Sequence, residues 1–116
     1  MDHKKLDIWK LGIELVKFIY QSTNDFPKSE QFGLTSQLRR ASVSVPTNIA
    51  EGCSRKSDKE TIQFLYITVG SLSEMETLLI ICEKLNFIKD VNDLLSRIEL
   101  IKRKTLSLIK YLANKK

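Results

Sequence analysis

Val91, Leu94, Ile98, Ile101, Thr105, Leu108 and Leu112 follow one another at alternating steps of three and four residues. That spacing keeps a stripe on one side of an α-helix, and it cannot be a strand, whose side chains change face at every residue. A single amphipathic helix of this kind is marginal in water, so the stripe demands other helices to cover it. The rest of the chain supplies them. Of 116 residues, 42% are hydrophobic and 28% charged, with two prolines and four glycines. Such material suits helices, leaves little for turns of an all-β fold, and fills one domain.

Three further helices are expected ahead of the heptad, which itself should span about 91–112. The first runs over 6–23, with Leu6, Trp9, Ile13, Val16 and Tyr20 on one face and Lys10, Glu14 and Lys17 on the other. Asn24 to Pro27 stops it, because Pro27 disfavours helical backbone at Phe26. The second, over 30–53, is capped by Ser29 or Thr35 and carries Leu34, Leu38, Ala41, Val45 and Ile49 inside. Pro46 stands within it, removes a donor and crowds the Ser42 carbonyl, which predicts a kink or break between Ser42 and Pro46. Ser42 and Ser44 hydroxyls are then at hand for freed backbone groups, and Gly52 is placed to close the helix in the left-handed conformation.

Ser57 and Glu60 form a capping box for the third helix, 58–85. Its inner stripe is Ile62, Leu65, Val69, Leu72, Leu79 and Cys82, and Phe64, Met75, Leu78, Ile80 and Ile81 widen the apolar surface beyond what one core needs. The surplus predicts contact with another subunit. Asn86 and Asp90 mark the last turn. Four helices on short polar connections give an antiparallel up-down-up-down four-helix bundle, one domain over 1–116.

Net charge is +5, and the segment from Val91 onward holds all of it: Arg97, Lys102, Arg103, Lys104, Lys110, Lys115 and Lys116 against Asp93 and Glu99. A basic cluster points to nucleic acid or anionic lipid, with a merely solvated helix face as the plain alternative. Cys53 and Cys82 are far apart, with His3 the lone histidine, so neither a zinc site nor a disulfide framework is indicated, and no cofactor is called for. The opening Met-Asp-His-Lys-Lys has no signal-peptide core, and Glu74 and Glu76 interrupt the most apolar segment. The expectation is a cytoplasmic protein that does not enter a membrane.

The runs Phe32 to Ala41, Ser44 to Gly52, Phe64-Leu65-Tyr66 and Gly70 to Glu74, together with Trp9 and Phe26-Pro27, resemble the bacterial four-helix-bundle proteins encoded within intervening sequences of 23S ribosomal RNA genes. The resemblance spans nearly the whole chain, and Arg39 to Gly52 is its most specific part. It implies an antiparallel bundle assembled as a ring-like homopentamer. A related branch, the accessory protein of diversity-generating retroelements, implies a positively charged pentamer that engages a reverse transcriptase and nucleic acid.

Beside that resemblance, the residues offer their own candidates. Arg39, Arg40, Arg55 and Lys56, with Lys59, could ring one end of the bundle, and Lys102, Arg103 and Lys104 form a second cluster. Arginine grips phosphate in a bidentate fork and lysine adds a point charge. Arg39, Arg40, Arg55, Lys56, Lys102, Arg103 and Lys104 are accordingly the candidate RNA- or DNA-binding residues. Arg39 or Arg40 could instead pair across helices with Glu51, Glu74 or Glu76. Asn48, Glu51 and Glu74 are expected in a buried polar network at the Pro46 kink, with Gly12 and Gly70 where helices approach closely. Ser42 and Ser44 have no histidine partner within the motif, paired Glu-x-x-His elements are missing, and the expectation is a protein that is not an enzyme. Tyr66 and Tyr111 are the aromatics left free to stack beside cations. The favoured reading is an oligomeric nucleic-acid binder with little sequence specificity; the alternative is a scaffold that docks a reverse transcriptase or a ribosome-associated protein.

Overall fold

A computed structural model describes residues 1–115; Lys116, counted above in the basic excess, lies outside the described residues. Four helices account for most of the chain: α1 Asp7–Thr23, α2 Leu34–Cys53, α3 Asp58–Lys84 and α4 Asn92–Asn114. Short 3-10 turns at His3–Lys5 and Lys28–Glu30 precede α1 and α2.

Contacts between helices fix their directions. Thr23 meets Arg39 while Gly12 lies against Val45 and Pro46, so α1 and α2 run opposite ways. The Thr61 hydroxyl donates to the Gly52 carbonyl at 2.8 Å, and Ser44 and Ser71 hydroxyls pair at 2.8 Å, which does the same for α2 and α3. Asp58 with Lys115 and Glu76 with Lys102 set α3 against α4, and Asp7 with Lys104 and Phe18 with Arg97 set α1 against α4. Each helix thus packs on its two neighbours, while among the described residues the backbones of α1 and α3, and of α2 and α4, stay more than 8 Å apart. The result is an antiparallel up-down-up-down bundle of 50 × 22 × 20 Å.

Leu15, Ile19, Leu38, Val45, Ile49, Leu65, Leu72, Met75, Leu79, Ile98 and Ile101 fill the centre, each buried almost entirely. Burial of side chains this size contributes roughly 1.5–3 kcal/mol apiece before the entropy cost. The heptad of α4 is buried as its spacing predicts, except that Leu108 is half-buried and Ile109 is buried beside it. Polar groups inside are paired: Thr105 donates to the Ile101 carbonyl at 2.7 Å, and among the described residues no buried side-chain nitrogen or oxygen lacks a partner.

Several local expectations are corrected. In α1 the buried stripe is Ile8, Gly12, Leu15, Ile19 and Thr23, leaving Ile13 at 46% and Tyr20 at 42% exposure on the outside. Gly12 decides this: a Cβ there would lie 3.3 Å from Val45 Cγ1 and 3.5 Å from the Pro46 ring, so its bare backbone lets α1 settle onto α2. Neither Ser29 nor Thr35 caps α2. The N-cap is Gly33, and the Glu30 carboxylate accepts from the Leu34 N–H at 3.1 Å.

Pro46 does not break α2, which is continuous from Leu34 to Cys53. Ser42 Oγ turns back to the Arg39 carbonyl at 2.7 Å, whereas Thr47 and Asn48 side chains donate to the carbonyls of Val43 and Ser44, each at 2.8 Å. Carbonyls on the turn preceding the proline therefore gain side-chain donors, and the helix is held through it. Gly52 lies within α2 and no described glycine has positive φ. Its role is closeness: a Cβ would meet Phe64 Cβ at 2.9 Å and the Thr61 carbonyl at 3.3 Å.

In α3, Ser57 Oγ accepts from the Glu60 N–H at 3.2 Å, as a capping box requires, and donates to the Glu60 carboxylate at 3.3 Å. Met75 and Leu78 belong to the core and not to the surplus, while Ile80 and Ile81 are exposed. Asn86, at φ 63°, closes α3: its N–H donates to the Glu83 carbonyl and that of Phe87 to the Cys82 carbonyl at 2.9 Å, a Schellman pattern.

Candidate nucleic-acid interface

The register places the candidate cations at different ends. Arg39 and Arg40 lie where α1 finishes and Arg55 and Lys56, just past the end of α2, where it begins, so that most of the length of α2, about 20 Å, separates the two pairs. The expected ring of Arg39, Arg40, Arg55, Lys56 and Lys59 around one end is therefore split. Arg39 is committed to the fold: its Nε donates to Thr23 Oγ1 at 2.8 Å, a terminal nitrogen reaches the Tyr20 carbonyl at 3.4 Å, and the guanidinium lies 4.5 Å above the Tyr20 ring. A cation at the C-terminus of α1 also suits the helix dipole. Arg40 is exposed and shares a shallow depression with Ser44, Ser71 and Glu74.

Lys102 is half-buried and bonded to Glu76 across α3 and α4. Its neighbours point elsewhere: Lys104 is 3.5 Å from Asp7, and Arg103 is exposed. Asn48 donates to the Ser44 hydroxyl, which meets Ser71, so the polar network at Pro46 consists of Asn48, Ser44 and Ser71. Glu51 and Glu74 are exposed and stand outside it, Glu51 facing Arg55 at 3.6 Å. Gly12 is a close approach as expected, but Gly70 is not, because a Cβ there meets no atom within 4 Å.

One end of the bundle gathers positive charge. It holds the start of α1, the end of α2, the start of α3 and the end of α4, and with them Lys4, Lys5, Arg55, Lys56, Lys59, Lys104, Lys110 and Lys115. Asp2, Asp7, Glu51, Asp58 and Glu60 offset only part of this. Two depressions open there. A groove of about 640 Å³ between the start of α1 and α4 has Leu6, Ile8, Leu100 and Leu108 for a floor and Lys5, Arg103 and Lys104 along its edges. A second, of about 480 Å³, lies among Arg55, Lys56, Asp58, Thr61, Tyr111 and Lys115, and Leu108 lines both. Sequence spacing offered no access to Lys5, Lys115 or this junction, since each is brought in from a different helix end.

The sides of the bundle are of another kind. Trp9, Ile13, Val16, Val43, Pro46, Thr47 and Ala50 line an apolar trough of about 330 Å³ between α1 and α2. On the outer face of α3, Tyr66 and Ile67 are exposed beside Gly70, and Ile80 and Ile81 about 15 Å further on, past the exposed Ser73, Glu74 and Thr77. By length and composition α3 is the one helix among the described residues that could cross a membrane, and its apolar residues divide between this face and the core.

Both thiols are buried and free. Burial pushes the Cys53 pKa up, with the N-terminal amine pulling it down and Asp2 adding to the rise; burial and then Glu30 raise that of Cys82. Among the described residues no three His, Cys, Asp or Glu side chains are grouped to hold a metal ion.

A family model described as 23S rRNA-intervening sequence protein matches residues 4–107. No curated protein matches the chain.

Proposed function

The chain belongs to the 23S rRNA-intervening sequence protein family, and from that premise we propose that it is a non-enzymatic, homo-oligomeric bundle of the bacterial cytoplasm that binds RNA or DNA through phosphate contacts with little sequence specificity. The observation that carries this reading is the basic end, where Lys5 ahead of α1, Arg55 and Lys56 between α2 and α3, Arg103 and Lys104 on α4 and Lys115 just past it line two depressions that share Leu108. Cations dispersed over helix ends suit a phosphate backbone, which is read by charge and spacing and not by base edges. Arg55, Lys56, Arg103 and Lys104 remain the phosphate-binding residues in this proposal, and Arg39 and Lys102 become scaffold. Replacing Lys56, Arg103 and Lys104 with glutamine is expected to weaken binding of unrelated RNA and DNA sequences alike. Equal affinity in that variant and the parent would overturn the assignment.

A scaffold role has its own observation in favour. The groove at Lys5, Arg103 and Lys104 has an apolar floor between cationic edges, which fits an acidic amphipathic segment such as a reverse transcriptase or ribosome-associated protein could offer. Protein capture that survives nuclease treatment while nucleic-acid affinity is nil would favour it.

A further inference from the structure

Tyr111 is 63% exposed on the last turns of α4, and it stands at the smaller of the two basic depressions with Arg55, Lys56 and Lys115 around it and Leu108 and Leu112 behind. An aromatic ring left uncovered beside three cations has no evident task in the bundle core. Its surroundings suit a ligand with a flat apolar part and an anionic part a few ångströms away. The depression, about 480 Å³, has the size of a small-ligand site and shares Leu108 with the groove edged by Arg103 and Lys104.

We infer that the Tyr111 depression receives one unpaired nucleotide of a nucleic-acid strand, its base stacked on the Tyr111 ring and its phosphate held by Arg55, Lys56 and Lys115, an inference that rests on the nucleic-acid reading above. A duplex keeps its bases paired and stacked and shows no free face to a tyrosine, whereas a single strand or an unpaired end does. Lys115 now faces Asp58 at 3.4 Å, with both side chains nearly half exposed. Such a pair is weak, so a phosphate can replace the carboxylate at small cost. Arg55 lies 4.5 Å over the Phe64 ring and 3.6 Å from Glu51, an exposed and weak ion pair that its guanidinium leaves to take the phosphate.

The test compares Tyr111→Ala and Tyr111→Phe with the parent, by fluorescence anisotropy, on labelled oligothymidylate and on a blunt duplex. Melting temperatures accompany each protein. Tyr111→Ala is expected to lower single-strand affinity by about tenfold, within the span of base–aromatic stacking, with Tyr111→Phe retaining it and the duplex affinity unchanged. The salt dependence of Tyr111→Ala should equal the parent's, since its phosphate contacts persist. Unchanged single-strand affinity in Tyr111→Ala, or an equal loss on both probes, would overturn the inference while the phosphate reading stands. A parent protein that binds neither probe would overturn both.

Discussion

Glycine shows how much a single residue decides in this bundle. Gly12 and Gly52 sit where another helix passes within contact distance of the backbone, and Gly70 sits in the open. Gly52→Ala gains helix propensity but drives a methyl to 2.9 Å from Phe64 Cβ, and the overpacking is expected to win, destabilising the fold by about 1–3 kcal/mol in denaturant unfolding. At Gly70 no clash opposes the gain, so Gly70→Ala should stabilise an isolated subunit by about 1 kcal/mol. Sequence alone put Gly12 and Gly70 at close approaches and Gly52 at a left-handed helix end; only Gly12 holds, because the difference lies in which helix passes by. The cysteines yield a pH prediction. Both thiols are raised by burial, so the folded state holds its protons to higher pH than the unfolded chain does. Stability from this source is complete below the ordinary thiol value of about 8.5 and declines as pH rises past it toward the folded values. Alkylation at neutral pH should accordingly be slow in the native protein and fast after unfolding; rapid native labelling would contradict the burial.

At the scale of helices, α4 was legible but for Leu108, which yields its place to Ile109, and α1 was not. The heptad of α4 has one apolar stripe, whereas α1 has two, Ile8-Leu15-Ile19 and Trp9-Ile13-Val16-Tyr20, one residue apart. A one-residue step turns a helix by about a hundred degrees, so the choice falls to the partner helix, and Gly12 against Pro46 makes it. The junction between α1 and α2 has the same limit. Arg39 reads as a phosphate ligand in sequence, yet it ties α2 to the last turn of α1. Arg39→Gln is therefore expected to lower the melting temperature, losing a charged hydrogen bond worth about 1–2 kcal/mol, and to leave nucleic-acid affinity in place. Lys56→Gln should do the reverse. A weakened complex with unaltered stability in Arg39→Gln would return that residue to the interface.

The whole molecule has a polarity that no one helix shows: cations collect at the end holding both Lys5 and Lys115, and apolar surface lies along the sides. The α1–α2 trough and the outer face of α3 are different surfaces. Contact between the trough of one copy and the α3 face of the next would be head-to-tail, and such contacts close into rings when the rotation between copies allows it. In the proposed oligomer this contact would use the open space at Gly70, where a Cβ meets no atom of its own chain within 4 Å. Ile13→Glu, which places a charge in an exposed part of the trough, should reduce the mass seen by light scattering while leaving the helical content intact. An unchanged mass would remove the trough from the interface. Fold and bundle direction were legible because they follow from local periodicity and short connections; the basic end was not, because it is assembled from residues nearly the full chain apart.

The phosphate account is tested most directly by the salt dependence of binding, measured by anisotropy on a labelled structured RNA with the parent and with Lys56, Arg103 and Lys104 replaced by glutamine. The proposal predicts that log affinity falls linearly with log salt, and that the variant's slope is shallower by somewhat under one for each phosphate it no longer neutralises. Affinity that does not change with salt, or a slope that the three substitutions leave intact, would contradict it.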